Sequence, residues 1–519
     1  MFFCIPAFLS PTAPASLFID FSSILFANIL AHDSQLQPGS IVCTSTLYIK
    51  EAAKLSTILR SFMSSMAPLF ESVQTKQLHF AETKAFMDIY RMGTGFTKDP
   101  WFYNMFRVQE SSFGLVDVHQ HRARRGLLSP SFHRRGIDQL QHVDRLISQL
   151  GSTPDVPINL QFAFRAVALE IITSYAFGKH IGCLDTPGFH HQLLIDIEGA
   201  ILSAGTIKWF PIVSTVLSTL PEAITVALVP SMQSYFDVRN MLAAQIDEIL
   251  ADHSVLLDAD HDVVYTHLLD PQNEKHTRPS RKSLLDEAQL LIQAGSDTVG
   301  NTVYTGLFYA MNDPNVYSAL RSEIDIAWKD TSQPLPLQQL EELPYLTAFI
   351  KEALRVSHGV VSPLPRVVHQ DTVIAGYPVP AGTVIASGIT IVHYDPDIFE
   401  SPKEFRPERW LSADGAHLEN FLVPFGRGSR QCLGMNLAWA ELYLIFGNIL
   451  RKLDFEMHNT GAEDFARLKD YFVTGYAGRH FHAFVRPREP SVQTTNLYIP
   501  YQDLWCPSAP QPFHGFGEF

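Results

Sequence analysis

The stretch SLLDEAQLLIQAGSDTVGNTVYTGLFYAM, residues 283–311, constrains the fold more than any other part of the chain. It is apolar on nearly every face, contains no proline, and stops at Asn312-Asp313-Pro314. A helix without a polar face has to be surrounded by protein. At about 1.5 Å per residue such a helix is roughly 40 Å long, so the rest of the chain must wrap around it. Ser283 with Asp286 three residues later reads as a capping box at its start. One segment is discordant: Ala294-Gly295-Ser296-Asp297-Thr298. Glycine inside a helix costs about 1 kcal/mol relative to alanine. Asp and Thr in an apolar helix need partners. A kink with a satisfied hydroxyl and a functional notch both account for it.

Other segments repeat the helical period. KEAAKLSTILRSFMSSM, FAFRAVALEIITSYAFG and MQSYFDVRNMLAAQIDEILADH all read as helices, the second largely buried. Residues 255–282 are polar and irregular and read as a surface loop. Strand signals are fewer. DTVIAGYPVPAGTVIASG, residues 371–388, alternates and carries Gly-Tyr-Pro and Pro-Ala-Gly turns, which suggests a hairpin. The fold class is therefore mainly α with a small β region. A net charge of −14 without a basic stripe argues against a nucleic-acid partner. Five cysteines in 519 residues, with no CxxC pair, argue for a reducing compartment rather than a disulfide scaffold.

The two ends differ from the middle. Residues 1–31 are apolar but lack Lys and Arg, and Pro6, Pro11, Pro14 and Asp20 interrupt them. A spanning helix needs about 20 mostly apolar residues. Membrane association through residues 1–75 is an expectation these residues leave open. The tail from 488 to 519 is Pro-rich and polar.

VPFGRGSRQCLGMNLAWAEL, residues 423–442, holds a lone cysteine in an ordered setting. On Cys432 alone a buried core thiol is the better reading. No nucleophile elbow surrounds it, and no second Cys or His lies within zinc spacing. Gly426, Gly428 and Gly434 remove side chains from a loop that approaches something flat. The run after Gly434 reads as a buried helix, so Cys432 sits at a helix N-terminus, where a thiolate is stabilised. Arg430 adds a positive charge. This combination suits axial ligation of haem iron.

The segment resembles the Phe-x-x-Gly-x-Arg-x-Cys-x-Gly signature of the cytochrome P450 family, at Phe425, Gly428, Arg430, Cys432 and Gly434. Further matches fall in the family's order: HRARR at 121–125, AGSDT at 294–298, Glu352 and Arg355 in KEALR, and Arg409 in FRPERW. The resemblance implies the cytochrome P450 fold, with the long central helix over haem b and Cys432 as the thiolate ligand of the iron. It implies a haem domain over 76–487, a poorly matched region over 1–75 and a tail over 488–519. Glu352, Arg355 and Arg409 are implied as a buried structural network. His121, Arg125, Arg366 and Arg430 are implied to bind the two propionates by charge-assisted hydrogen bonds.

The same resemblance assigns chemistry. Ala294 and Gly295 open a groove for dioxygen, while Asp297 and Thr298 form the acid–alcohol pair that delivers protons. Trp101, Phe106, Phe113, Leu291, Val361, Leu364 and Val473 are implied to line an apolar substrate pocket. The implied reaction inserts one oxygen atom from O2 into an apolar small molecule. FTKDPWFY and the long PAGTVIASGITIVHYDPDIFESPKEFRPERWL segment resemble filamentous-fungal members, including the trichodiene oxygenase group, which implies a secondary metabolite such as a terpenoid. Electrons are expected from NADPH-cytochrome P450 reductase, with cytochrome b5 as an optional second donor, at the cytosolic face of the endoplasmic reticulum membrane. The runner-up is a protein of the same fold doing isomerisation, dehydration or peroxygenase chemistry without a reductase. A third reading, a non-catalytic haem carrier, leaves the AGSDT segment without a purpose.

Overall fold

A computed structural model describes residues 77–488 except 133–136, 209–218, 231, 258–260 and 271–277. The helix expected in KEAAKLSTILRSFMSSM, the apolar residues 1–31 and the tail beyond 488 lie outside the described residues. The principal helices are α1 (Thr83–Ile89), α2 (Val118–Leu128), α3 (Ile137–Leu150), α4 (Leu160–Phe177), α5 (Gln192–Ile207), α6 (Met232–Ala251), α7 (Arg281–Asn312), α8 (Pro314–Ala327), α9 (Pro344–Ser357) and α10 (Met435–Lys452).

α7 is the expected central helix, and α4 is its main partner. Gly300 lets the two backbones touch: a Cβ there would lie 3.0 Å from Cα of Arg165. Gly306 makes room instead for side chains, the Phe446 ring of α10 and the Ala353 methyl of α9. α4 is long and apolar enough to cross a membrane, but 94% of it is buried inside the protein, so it is a core helix. The start of α7 differs from the sequence expectation. Ser280 is the cap, accepting from the Ser283 amide at 3.0 Å. Ser283 instead donates to the Glu110 carbonyl, and Asp286 accepts from the Glu110 amide at 3.0 Å. A tertiary partner takes the side chains that the capping box would have used. At the other end Asp313 caps α8, with Pro314 in its first turn.

The β structure is small. A four-stranded sheet has the order β1 (Gln77–His79), β7 (Val384–Ala386), β4 (Arg366–Val367), β2 (Thr97–Lys98). The expected hairpin is shorter than 371–388: β5 (Thr372–Ile374) pairs with β6 (Tyr377–Val379) around Ala375 and Gly376, both at positive φ, as a tight hairpin turn requires. β7 then leaves to run parallel to β1, a distant pairing that alternation cannot reveal. β8 (Leu453–His458), β11 (His482–Pro487) and β3 (Ile158–Asn159) form a second sheet, and β9 (Leu468–Tyr471) with β10 (Val473–Tyr476) a last hairpin. The irregular stretch before α7 contains a short helix, Val264–Leu268, whose Val264, Tyr265 and Leu268 are buried.

Candidate active site

The cysteine loop runs from Val423 to the start of α10. Cys432 donates its amide to the Phe425 carbonyl at 2.9 Å, and the Gly434 amide donates to its sulfur. The glycines have separate duties. Gly428, at φ 74°, would drive a Cβ to 2.2 Å from the Tyr90 carbonyl, so its need is the end of α1 rather than a flat ligand. Gly426 and Gly434 meet nothing within 4 Å and leave their side of the loop open. Burial pushes the Cys432 thiol up, against the Gly434 amide and the Arg125 charge. Arg430 does not supply that charge: its guanidinium donates to the Leu115 and Val116 carbonyls at 2.8 and 2.9 Å, turned toward the chain before α2. Cys432 is nonetheless exposed on the open side of the loop, where a bound metal cation rather than its surroundings would favour the thiolate.

Around the loop lies a cluster of cations. Lys98 stands directly opposite Arg366 across β2 and β4. Like charges in that register repel. His121 of α2 is buried, and its ring makes no hydrogen bond among the described residues. Burial, then Arg430, Lys98, Arg125 and Arg366 in that order, push it down to about 3. Burial and the Arg366 charge bring Arg430 down to about 10. Lys98 lies well below its ordinary value, from burial and then Arg366. Arg366 uses one guanidinium nitrogen for Tyr103, Leu364 and Pro365. Among the described residues none of Lys98, Arg125, Arg366 and Arg430 has a carboxylate within ion-pair distance. Packed cations without an acid suit a group that brings its own carboxylates, as haem b does with two.

α7 presents Ala294 and Thr298 to the open side, with Leu291 one turn earlier on that face and buried. The Thr298 hydroxyl donates to the Ala294 carbonyl at 2.9 Å. Gly295 does not widen this groove: its missing Cβ is filled by Ile172 of α4, 2.6 Å away. Asp297 points the other way, and Arg165 of α4 donates to its Oδ1 at 2.6 Å. Nη1 of Arg165 is buried without a partner.

The aromatic candidates converge. Trp101, Phe106, Phe113 and Leu364 pack with Phe102, Tyr103, Met105 and Phe472. Phe106 and Phe472 have ring centroids 4.6 Å apart. Val361 donates its amide to Phe472 O at 3.0 Å, and Val360 bridges Val473, so the segment after α9 and the β9–β10 turn close this wall. Behind it, Glu352 binds Arg355 at 2.7 Å, Arg409 at 3.1 Å and the indole of Trp410 at 2.9 Å, all buried. Arg355 passes the contact on to the carbonyls of His393, Pro402 and Glu404.

Two residues of this arrangement were not among those expected from sequence. Lys98 lies in FTKDPWFY, where only the pairing with β4 makes it a site residue. Arg165 is the single cation in an apolar helical run, and a buried charge demands a partner. That signal was present in FAFRAVALEII.

A family model described as Cytochrome P450 matches residues 83–476. N-acetyltryptophan 6-hydroxylase ivoC of Emericella nidulans is 34% identical over 390 residues, 72% of this chain and 75% of that protein. Cytochrome P450 monooxygenase TRI4 of Fusarium sporotrichioides is 30% identical over 472 residues, 87% of this chain and 89% of that one. Among solved structures, the cytochrome P450DA heme domain superposes with a TM-score of 0.65 at 17% identity, covering 80% of this chain and 88% of that one. That likeness concerns the fold.

Proposed function

The chain belongs to the cytochrome P450 family and is a monooxygenase with haem on a cysteine thiolate, and we propose that it hydroxylates an apolar fungal secondary metabolite of terpenoid type. The observation that carries this reading is the apolar wall of Trp101, Phe102, Phe106, Phe113 and Phe472, tied through the Phe472 carbonyl to the segment after α9. Apolar rings exclude water and hold a ligand by area rather than by polar contacts. Cytochrome P450 monooxygenase TRI4 is among the relatives, and the sequence resembles the trichodiene oxygenase group.

In this reading Cys432 is the iron ligand, and Lys98, His121, Arg125, Arg366 and Arg430 bind the propionates. Bound haem supplies reductive O2 activation, with thiolate donation favouring O–O cleavage. The chain's residues handle protons. Thr298 turns its hydroxyl from the Ala294 carbonyl toward the open side, and Asp297, once it leaves Arg165, takes a proton from solvent and passes it to Thr298. Phe106, Phe472, Val361 and Leu364 orient the substrate and keep the site dry. NADPH-cytochrome P450 reductase, assisted by cytochrome b5, delivers the electrons at the cytosolic face of the endoplasmic reticulum membrane. Asp297 and Thr298 favour this over isomerisation, dehydration or peroxygenase chemistry, none of which needs protons delivered to dioxygen.

One observation favours a second reading, an indole acid. The Lys208 ammonium lies 2.6 Å from Asp470 and 3.4 Å from Ser362, beside Phe472, where a substrate carboxylate could replace that of Asp470. A relative is named for N-acetyltryptophan. The deciding experiment supplies reductase, NADPH and 18O2 to the purified protein with panels of sesquiterpenes and of N-acyl tryptophans. A labelled terpenoid alcohol is the expected product. Turnover of the indoles alone would move the reading to the second substrate class. Product without NADPH would remove the reductase.

A further inference from the structure

We propose that His142, Glu170 and His180 form a second metal site, for a divalent transition ion such as zinc, on the side of α4 that faces α3. The inference is independent of the monooxygenase reading. One ligand atom from each residue lies within 4.8 Å of the others. An ion centred in such a triangle sits at most about 2.8 Å from each atom, and zinc bonds to N and O are about 2.0–2.2 Å. A contraction of about 0.7 Å per ligand closes the site.

The three residues differ in freedom in a way that suits binding. Glu170 is fixed: its side chain is fully buried, and it accepts from the Cys183 amide at 2.6 Å and the Ile181 amide at 3.2 Å. Carboxylate ligands held by outer hydrogen bonds are the usual arrangement. His142 comes from α3 and is buried. His180 lies on the turn after α4, with its side chain 60% exposed and Nδ1 3.8 Å from Glu170 Oε2. It is the ligand able to move, and it opens the site to solvent. The imidazoles, 5.5 Å apart and inclined at 46°, are not stacked face to face. Two imidazoles and one carboxylate, with a fourth position left for water, favour zinc over calcium or magnesium. Asp185 does not join the set, since Arg145 holds both its oxygens at 2.7 Å. Occupied, the site would tie α3, α4 and the following turn together.

The test uses the haem-loaded full chain, stripped with EDTA and dialysed to equilibrium against micromolar zinc chloride. Zinc is counted by mass spectrometry and Tm is recorded with and without it. His180→Ala and His142→Ala should each hold one equivalent less than the parent, while His417→Ala, on the exposed face of a short helix, should match it. Zinc should raise the Tm of the parent and leave that of His180→Ala unchanged. Removing the exposed His180 ring leaves the core intact, which an unaltered Soret spectrum checks. Equal zinc content and equal Tm response in the parent and His180→Ala, or no bound zinc in the parent, would overturn the site and leave a Glu170–His180 contact without a metal.

Discussion

Arg165 and Asp297 form a buried ion pair, Nε to Oδ1 2.6 Å, with each side chain only 6% exposed. It joins α4 to α7 at the point where Gly300 lets their backbones touch. The acid of the expected acid–alcohol pair is thus held on the far side of α7 from the hydroxyl it is meant to serve. Removing one partner of a buried pair costs about 3–5 kcal/mol. Arg165→Met should lower unfolding stability by that order, whereas Asp297→Asn keeps a hydrogen bond and should lower it less. Asp297→Asn should instead slow turnover and raise the solvent isotope effect. Denaturant unfolding and single-turnover rates in H2O and D2O separate the two effects.

Thr298 invites the opposite expectation. Among the described residues its hydroxyl bonds only the Ala294 carbonyl of its own helix. Thr298→Ala should change stability by less than about 1 kcal/mol, since a back-bonded hydroxyl contributes little to a helix. Reductant should still be consumed while product falls and peroxide rises. Thr298→Ser should restore coupling. Unchanged coupling in the alanine variant would exclude a role in proton delivery.

The cysteine assignment has a spectral test. The protein, reduced and treated with carbon monoxide, should show the Soret band typical of thiolate ligation. Cys432→Ala should abolish it. A normal spectrum in that variant would sink the assignment.

Lys98, which faces Arg366, should matter more with haem than without it. Lys98→Met relieves repulsion across β2 and β4 but gives up the bond from Nζ to the Phe113 carbonyl, so the haem-free protein should change in stability by less than about 1 kcal/mol. A hydrogen bond to a charged group contributes about 1.5–3 kcal/mol, so haem loss should be about 10–100-fold faster. Transfer of haem to an apomyoglobin acceptor measures the rate, and an unchanged rate would remove Lys98 from the propionate site.

The buried imidazoles predict an acid limit. His393 accepts from the Val423 amide through Nε2, so its Nδ1 carries the proton toward Nδ1 of His358, 3.1 Å away. Burial pushes His358 down to about 3, and burial together with His358 and Arg355 holds His393 well below its ordinary value. Both rings stay neutral when folded but take protons below about pH 6.5 when unfolded. Their contribution is therefore full above that pH and is lost as pH falls toward 3. The slope is up to about 1.4 kcal/mol per pH unit for each ring. His358 sits at φ 59°, which asparagine tolerates. His358→Asn should flatten the slope of unfolding free energy between pH 6.5 and 4.5 without changing its sign.

Much of the site was legible because its signals are local. The apolar period of α7, the ordered residues around Cys432 and the Glu352–Arg355 spacing all lie within a few turns of chain. What stayed hidden depends on partners far away in sequence. Ser283 with Asp286 reads as the cap from spacing alone, and only Glu110, which takes both side chains, leaves that role to Ser280. The repulsion between Lys98 and Arg366 exists only once β2 meets β4. Gly295 and Gly428 look like padding for a ligand, yet Ile172 and the Tyr90 carbonyl occupy the space they leave.

The contact between Gly428 and Tyr90 also bears on the order of assembly. Nearby, Arg427 donates to the Met87 sulfur, a partner 340 positions away. Contacts at such separation form late, because loop closure must come first. The iron-binding loop thus takes its shape only after the early helix has docked against a nearly complete chain. On the ribosome residue 432 emerges when most of the protein already exists. Cofactor capture is therefore expected to close the folding sequence, and a defect near residue 90 should show itself as missing colour rather than as missing protein.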